Sequence, residues 1–101
     1  MDGFNLTNQI ALITGGMGTI GLATAKKFLT HGAEVIILDK KIDMDDSKNT
    51  NLFTKCLSLE CDLTKQKSID YSLKKIVKRY GGIDVLISNA GAAFQGLMDS
   101  V

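Results

Sequence analysis

Four glycines crowd into the run IALITGGMGTIG, residues 10–21, directly behind an apolar stretch. A phosphate group needs backbone N–H groups aimed at it and a main chain it can approach closely, and glycine removes the side chain that would stand in the way. Gly16-x-Gly18-x-x-Gly21 fits G-x-G-x-x-G, while Gly15-x-x-Gly18-x-x-Gly21 fits a second spacing, so the register stays open. A second chemical group follows at Asp39, which closes the apolar run VIILD. Its separation from Gly21 is that of a carboxylate accepting hydrogen bonds from the 2′- and 3′-hydroxyls of an adenosine ribose. Such an acid repels a 2′-phosphate, so the pattern favours NAD over NADP, a preference that Lys40 and Lys41 soften.

Other residues with chemical potential lack company. His31 is the sole histidine and falls at the end of a helical pattern, where it complements the helix dipole. Cys56 and Cys61 flank LSLE; five apart on a strand, they point to opposite faces and serve packing rather than a disulfide or a metal site. Ser88 and Ser100 have no general base that the sequence brings near them.

The elements that must position these groups alternate. Branched aliphatics predict strands at 9–14, 34–39, 56–61 and 83–88. Leu22, Ala25, Phe28 and Leu29 make one stripe of a helix over 20–31, which Gly32 stops. Ile69, Leu73, Ile76, Val77 and Tyr80 make the stripe of a helix over 65–80, entered through Thr64 as N-cap and ended by Gly81-Gly82. Strands joined through helices imply a parallel sheet, because parallel neighbours need a crossover. The expected fold is therefore α/β, a Rossmann-like doubly wound sheet of about four strands in the order 3-2-1-4. The second crossover is the exception: KKIDMDDSKNTN, residues 40–51, has no apolar stripe, offers at most a turn or two of helix and reads as loop. The run Val85-Leu86-Ile87 reads as a strand buried on both faces, with an open edge that invites pairing with another chain.

Composition bounds the rest. The 101 residues, 45% of them hydrophobic, fit one dinucleotide-binding domain spanning 1–101. A net charge of +1 with mixed signs gives no stripe for nucleic acid and no polybasic anchor for a membrane. The N-terminus lacks the build of a signal peptide, and no apolar run is long enough to span a bilayer, so a cytoplasmic location is expected.

Together these residues resemble the N-terminal part of the short-chain dehydrogenase/reductase family. The run from Thr14 to Gly21 is similar to that family's T-G-x-x-x-G-x-G, Cys61-Asp62-Leu63-Thr64 to its adenine-contacting Asp at the end of the third strand, and Ser88-Asn89-Ala90-Gly91 to its N-A-G segment. The resemblance implies that Gly15, Met17 and Ile20 border the pyrophosphate, with Gly21 letting the helix pack close to the sheet. It implies further that Asp39 holds the adenosine ribose, that Asp62 and Leu63 flank the adenine, and that Asn89, Ala90 and Gly91 close over the far ribose. One departure is that Thr19 stands where the family has its middle glycine, with Gly18 one place earlier.

Family members transfer hydride between nicotinamide and an alcohol/carbonyl pair, with a Tyr and a Lys four residues on as the acid/base pair, well beyond N-A-G. Tyr71 and Lys75 match that spacing but precede N-A-G. They fall roughly 200° and 240° around the helix from Ile69, on its polar side. The expectation is thus a truncated cofactor-binding part of an NAD-dependent oxidoreductase, inactive by itself, with no catalytic residue of its own. The alternative is a non-catalytic NAD-binding module, sensing NAD or completed by a partner chain. A methyltransferase-like fold also pairs a glycine turn with a strand-end acid, but Thr14, Asp62 and Asn89-Ala90-Gly91 argue against it.

Overall fold

A computed structural model describes residues 5–15, 17–43 and 50–88. Four parallel strands, β1 (Ile10–Thr14), β2 (Glu34–Asp39), β3 (Leu57–Glu60) and β4 (Val85–Ser88), form one sheet in the order β3-β2-β1-β4. The doubly wound Rossmann-like architecture is the one the strand and helix alternation predicts. Register runs Leu12 against Ile36 and Leu86, and Leu38 against Leu59.

The central strands are apolar on both faces, and alternation sorts their side chains into two layers. Leu12, Ile36 and Leu38 pack with Cys61 under Ile69 and Ile76 of α3 (Gln66–Tyr80). On the other face Ile13, Val35 and Ile37 pack against Ala25 of α1 (Thr19–Thr30) and against Leu52 and Phe53 of α2 (Thr50–Lys55). Cys56 joins this second layer, so the two thiols do face opposite sides of the sheet, and both are free. Burial pushes the Cys56 thiol up from its ordinary value, against a smaller opposing effect of Ser58.

Helices on opposite faces reverse the winding between β1 and β4, and in such sheets ligands bind at the carboxyl ends of the strands beside that reversal. Thr14, Asp39, Glu60 and Ser88 mark that edge. Gly32 (φ +96°) and Gly81 (φ +85°) stop α1 and α3 in the left-handed region, as their positions predict.

Four expectations need correction. The second crossover is not loop throughout: α2 spans its final residues, and its adjacent Leu52 and Phe53 dock on the sheet through too few turns to show a period. On α3 the buried face runs through Ile69, Ser72 and Ile76, while Val77 is 54% exposed at its margin. Thr64 is not the cap of α3; that position falls to Lys65 without a side-chain bond, because the Thr64 hydroxyl is committed to Asp62. Finally, β4 ends the sheet among the described residues, as the order 3-2-1-4 has it, but Leu86 on that strand is 39% exposed rather than buried.

Candidate dinucleotide-binding site

The glycine turn leaves the end of β1 with Gly15 at φ +66°, a left-handed conformation that costs an L side chain energy and glycine nothing. The Gly15 N–H donates to Leu38 O at 2.8 Å, and its carbonyl accepts from Gly18 N at 3.3 Å, which folds the turn back beside β2. Gly18 is the N-cap of α1, extended at φ −72°, ψ 166°, with no side-chain cap and no acid in the first turn. The first bond of the helix runs from Leu22 N to Gly18 O, so Thr19, Ile20 and Gly21 present N–H groups without an intrahelical acceptor. This is the positive end of the helix dipole. Gly21 is buried in α1, whereas Ile20 is 73% exposed at the mouth of the turn.

Among the described residues a Cβ at Gly18 would meet only Gly15 O, at an ordinary 3.6 Å. The fold itself therefore does not require glycine there.

Asp39 ends β2 next to this turn. Its Oδ2 accepts the Met17 N–H at 3.0 Å, its Oδ1 accepts the Lys40 N–H at 2.7 Å, and its backbone carbonyl accepts from Cys61 N at 2.8 Å. From β3 the chain turns through Asp62, whose Oδ1 accepts both the Thr64 hydroxyl at 2.6 Å and the Thr64 N–H at 3.0 Å. These two bonds, the hydroxyl's first, hold the Asp62 carboxyl below its ordinary range, with weaker help from Lys40 and Lys65. Ser68 ties the turn to α3, accepting from Asp62 N at 2.9 Å and lying 3.7 Å from the Cys61 sulfur.

These segments enclose a cleft of about 180 Å³ lined by Gly15, Asp39, Lys40, Cys61, Asp62, Leu63 and Thr64. It unites Gly15, Asp39, Asp62 and Leu63, which the sequence singled out, while Met17, Gly18, Thr19, Ile20 and Gly21 stand beside it on the turn and the first turn of α1. Asn89, Ala90 and Gly91 lie outside the described residues, as does Gly16. Thr64 and Cys61 as lining groups escaped the sequence reading, although the Asp-x-Thr spacing of a side-chain-closed turn was there to find. A larger hollow of about 510 Å³ is lined by Lys26, Leu29 and Thr30 of α1 and Asn51, Leu52 and Lys55 of α2 and holds none of the candidate cofactor-binding residues.

Tyr71 and Lys75 stay apart from all of this. Tyr71 is 60% exposed on α3, and the Lys75 ammonium lies 4.8 Å from its ring centroid, an on-helix contact with no link to the cleft. Ser88 Oγ is buried with no hydrogen-bond partner among the described residues, and the hydroxyl of Thr14, its register mate, reaches Ile87 O at 3.5 Å.

A glycine turn, an uncapped helix and a strand-end acid at the winding reversal of a parallel sheet define a Rossmann-type fold. The chain belongs to the short chain dehydrogenase family, whose pattern matches residues 9–100. It is 36% identical over 96 residues to short-chain dehydrogenase reductase 3a of Arabidopsis thaliana, covering 94% of this chain and 37% of that protein. It is 38% identical over 90 residues to the NAD-dependent glycerol dehydrogenase of Listeria innocua, covering 89% and 35%. The 2-keto-3-deoxy-D-gluconate dehydrogenase of Streptococcus agalactiae superposes with a TM-score of 0.75 at 35% identity, over 90% of this chain and 35% of that one. The chain thus spans little more than a third of the length of these relatives.

Proposed function

We propose that these 101 residues are the cofactor-binding part of an oxidoreductase and that they take NAD in preference to NADP. The observation that carries the reading is the Asp39 carboxylate standing at the cleft beside a glycine turn that opens an uncapped helix. Thr19, Ile20 and Gly21 would meet the pyrophosphate with their N–H groups, and Gly15, Met17 and Gly18 would border it. Asp39 would accept the ribose hydroxyls, Asp62 and Leu63 would flank the adenine, and Asn89, Ala90 and Gly91 would follow at the far ribose. When bound, the nicotinamide supplies hydride transfer to or from an alcohol/carbonyl pair. What this chain contributes is grip and orientation; Tyr71 and Lys75, outside the cleft, supply no acid/base step, so the 101 residues alone are expected to bind without turnover. The free thiols Cys56 and Cys61 fit a reducing, cytoplasmic setting. The place of β4 at the end of the sheet among the described residues and the exposure of Leu86 favour a second element of the reading, that this strand pairs with a further chain or with another copy.

Calorimetric titration with NAD and NADP, run beside sedimentation of the same chain over a range of concentrations, tests both elements. Saturable NAD binding at least tenfold tighter than NADP is expected, with association that grows with concentration. Equal or tighter NADP binding would overturn the role of Asp39, failure to bind either would overturn the cofactor reading, and a monodisperse monomer would remove the pairing strand.

A further inference from the structure

We propose that Asp39 is also a positioning residue for the phosphate-binding turn, latching it through the Met17 N–H so that ribose selection and phosphate binding depend on one carboxylate. The inference rests on the cofactor reading for its purpose but not for its geometry. An ionised carboxylate offers about four acceptor sites. Two are filled by the chain itself, Oδ2 by Met17 N and Oδ1 by Lys40 N, which leaves one on each oxygen for a pair of ribose hydroxyls. The Lys40 bond is to a sequence neighbour and fixes only the carboxylate's rotation. The Met17 bond is different: it crosses 22 positions of sequence and joins the tip of the turn, between Gly15 and Gly18, to the end of β2.

Among the described hydrogen bonds this is the one that ties the Met17 backbone to β2. Gly15 is anchored to Leu38 at one end and Leu22 to Gly18 at the other; between them the Gly18 N–H closes the turn on Gly15 O at 3.3 Å and the Met17 side chain packs against the layer of Ile13, Val35 and Ile37, contacts that leave the direction of the Met17 N–H to be set by Asp39. A glycine-rich loop samples many conformations unless a bond selects one. A bond to an ionised acceptor is stronger than one between neutral partners. The latch also sharpens discrimination: a 2′-phosphate that pushes Asp39 aside would release the Met17 N–H and loosen the turn that must grip the pyrophosphate.

Amide hydrogen exchange of the ¹⁵N-labelled 101-residue chain at neutral pH, without ligand, tests the latch. The Met17 amide is expected to be protected, and Asp39→Ala to speed its exchange about tenfold or more, the worth of one charge-assisted bond. The Leu12 and Ile36 amides should hold their rates, which reports an intact sheet. Asp39→Asn, which keeps one acceptor oxygen, should fall between. Fast Met17 exchange in the parent chain, or a rate unmoved in both variants while the core stays protected, would overturn the proposal.

A second arm reads the consequence with inorganic pyrophosphate, followed at the Ile20 and Gly21 amides. Removing a negative charge beside an anion site should tighten pyrophosphate binding by electrostatics alone. A latch predicts the opposite sign, a loss of about threefold or more in Asp39→Ala, and tighter binding there would refute the coupling. If the parent chain does not bind pyrophosphate, the cofactor reading fails while the exchange result still decides whether the latch exists.

Discussion

Two glycines in the left-handed region let one physical term be isolated. Gly81 (φ +85°) has open space where a Cβ would sit, whereas at Gly32 (φ +96°) a Cβ would lie 2.9 Å from Thr7 Oγ1, 3.3 Å from Thr7 N and 3.4 Å from Thr7 Cα. Alanine at Gly81 therefore bears only the conformational cost, about 1 kcal/mol, partly offset by a stiffer unfolded chain. Alanine at Gly32 bears that cost and must also push Thr7 away. Thr7 is not idle: both its N–H and its hydroxyl are turned onto Asn5 Oδ1, so its displacement strains a turn held by two exposed hydrogen bonds. At about 0.5–1.5 kcal/mol for such a bond, Gly32→Ala should cost about 2–3 kcal/mol in all. That is a large share of a stability of about 5–15 kcal/mol, and it should lower Tm by about 10–15 °C. Urea unfolding at constant m measures the difference between the variants. Thr7→Ala removes the 2.9 Å contact, so the double variant should recover part of the loss, a coupling of about 0.5–1 kcal/mol. Equal costs at the two glycines, or no recovery in the double variant, would refute the steric argument. Gly82→Ala, in open space and outside the positive-φ glycines, should change stability by no more than about 0.5 kcal/mol.

Ser72 Oγ is buried on the sheet-facing side of α3 with no hydrogen-bond partner among the described residues, so Ser72→Ala should stabilise the chain by about 0.5–1.5 kcal/mol. A loss of similar size on urea unfolding would show that the hydroxyl is in fact satisfied. Asp62 supplies the pH dependence. Its carboxyl is held low in the folded state, so its contribution is whole above the unfolded value of about 3.9 and is lost as pH falls through the lower folded value. Thr64→Val removes the first of the bonds that lower it, so the Asp62 carboxyl, followed by NMR, should titrate higher than in the parent chain, and an unmoved titration would contradict the assignment.

The sheet was legible because its physics is local and repetitive. IALIT and EVIILD are apolar at successive positions, which only a strand covered on both faces tolerates, and Gly32 and Gly81 stand where helices of the right length must stop. What escaped was set by neighbours rather than by pattern. Leu52 and Phe53 signal a helix only because Ile13, Val35 and Ile37 form a surface to receive them. Val77 belongs to the apolar stripe by angle, yet the buried face of α3 runs through Ile69, Ser72 and Ile76 and leaves Val77 54% exposed. Leu86 lies in an apolar run that reads as buried on both faces, yet on the terminal strand that the order 3-2-1-4 already implies it is 39% exposed.

The site shows the same division. Spacing alone could pair the glycine turn with Asp39, because a strand–turn–helix–strand unit has a nearly fixed length and returns its second strand beside the first. Spacing could not choose between the two glycine registers, since both place glycine at 18 and 21. Geometry separates the glycines by what each must do. Gly15 is needed for its left-handed backbone, Gly21 is buried in the first turn of α1, and Gly18 meets neither need, a difference that spacing alone does not show. Thr19 is then no defect in the motif. As the first residue of α1 it offers its N–H whatever its side chain, so the departure from the family's glycine spacing leaves the donors intact.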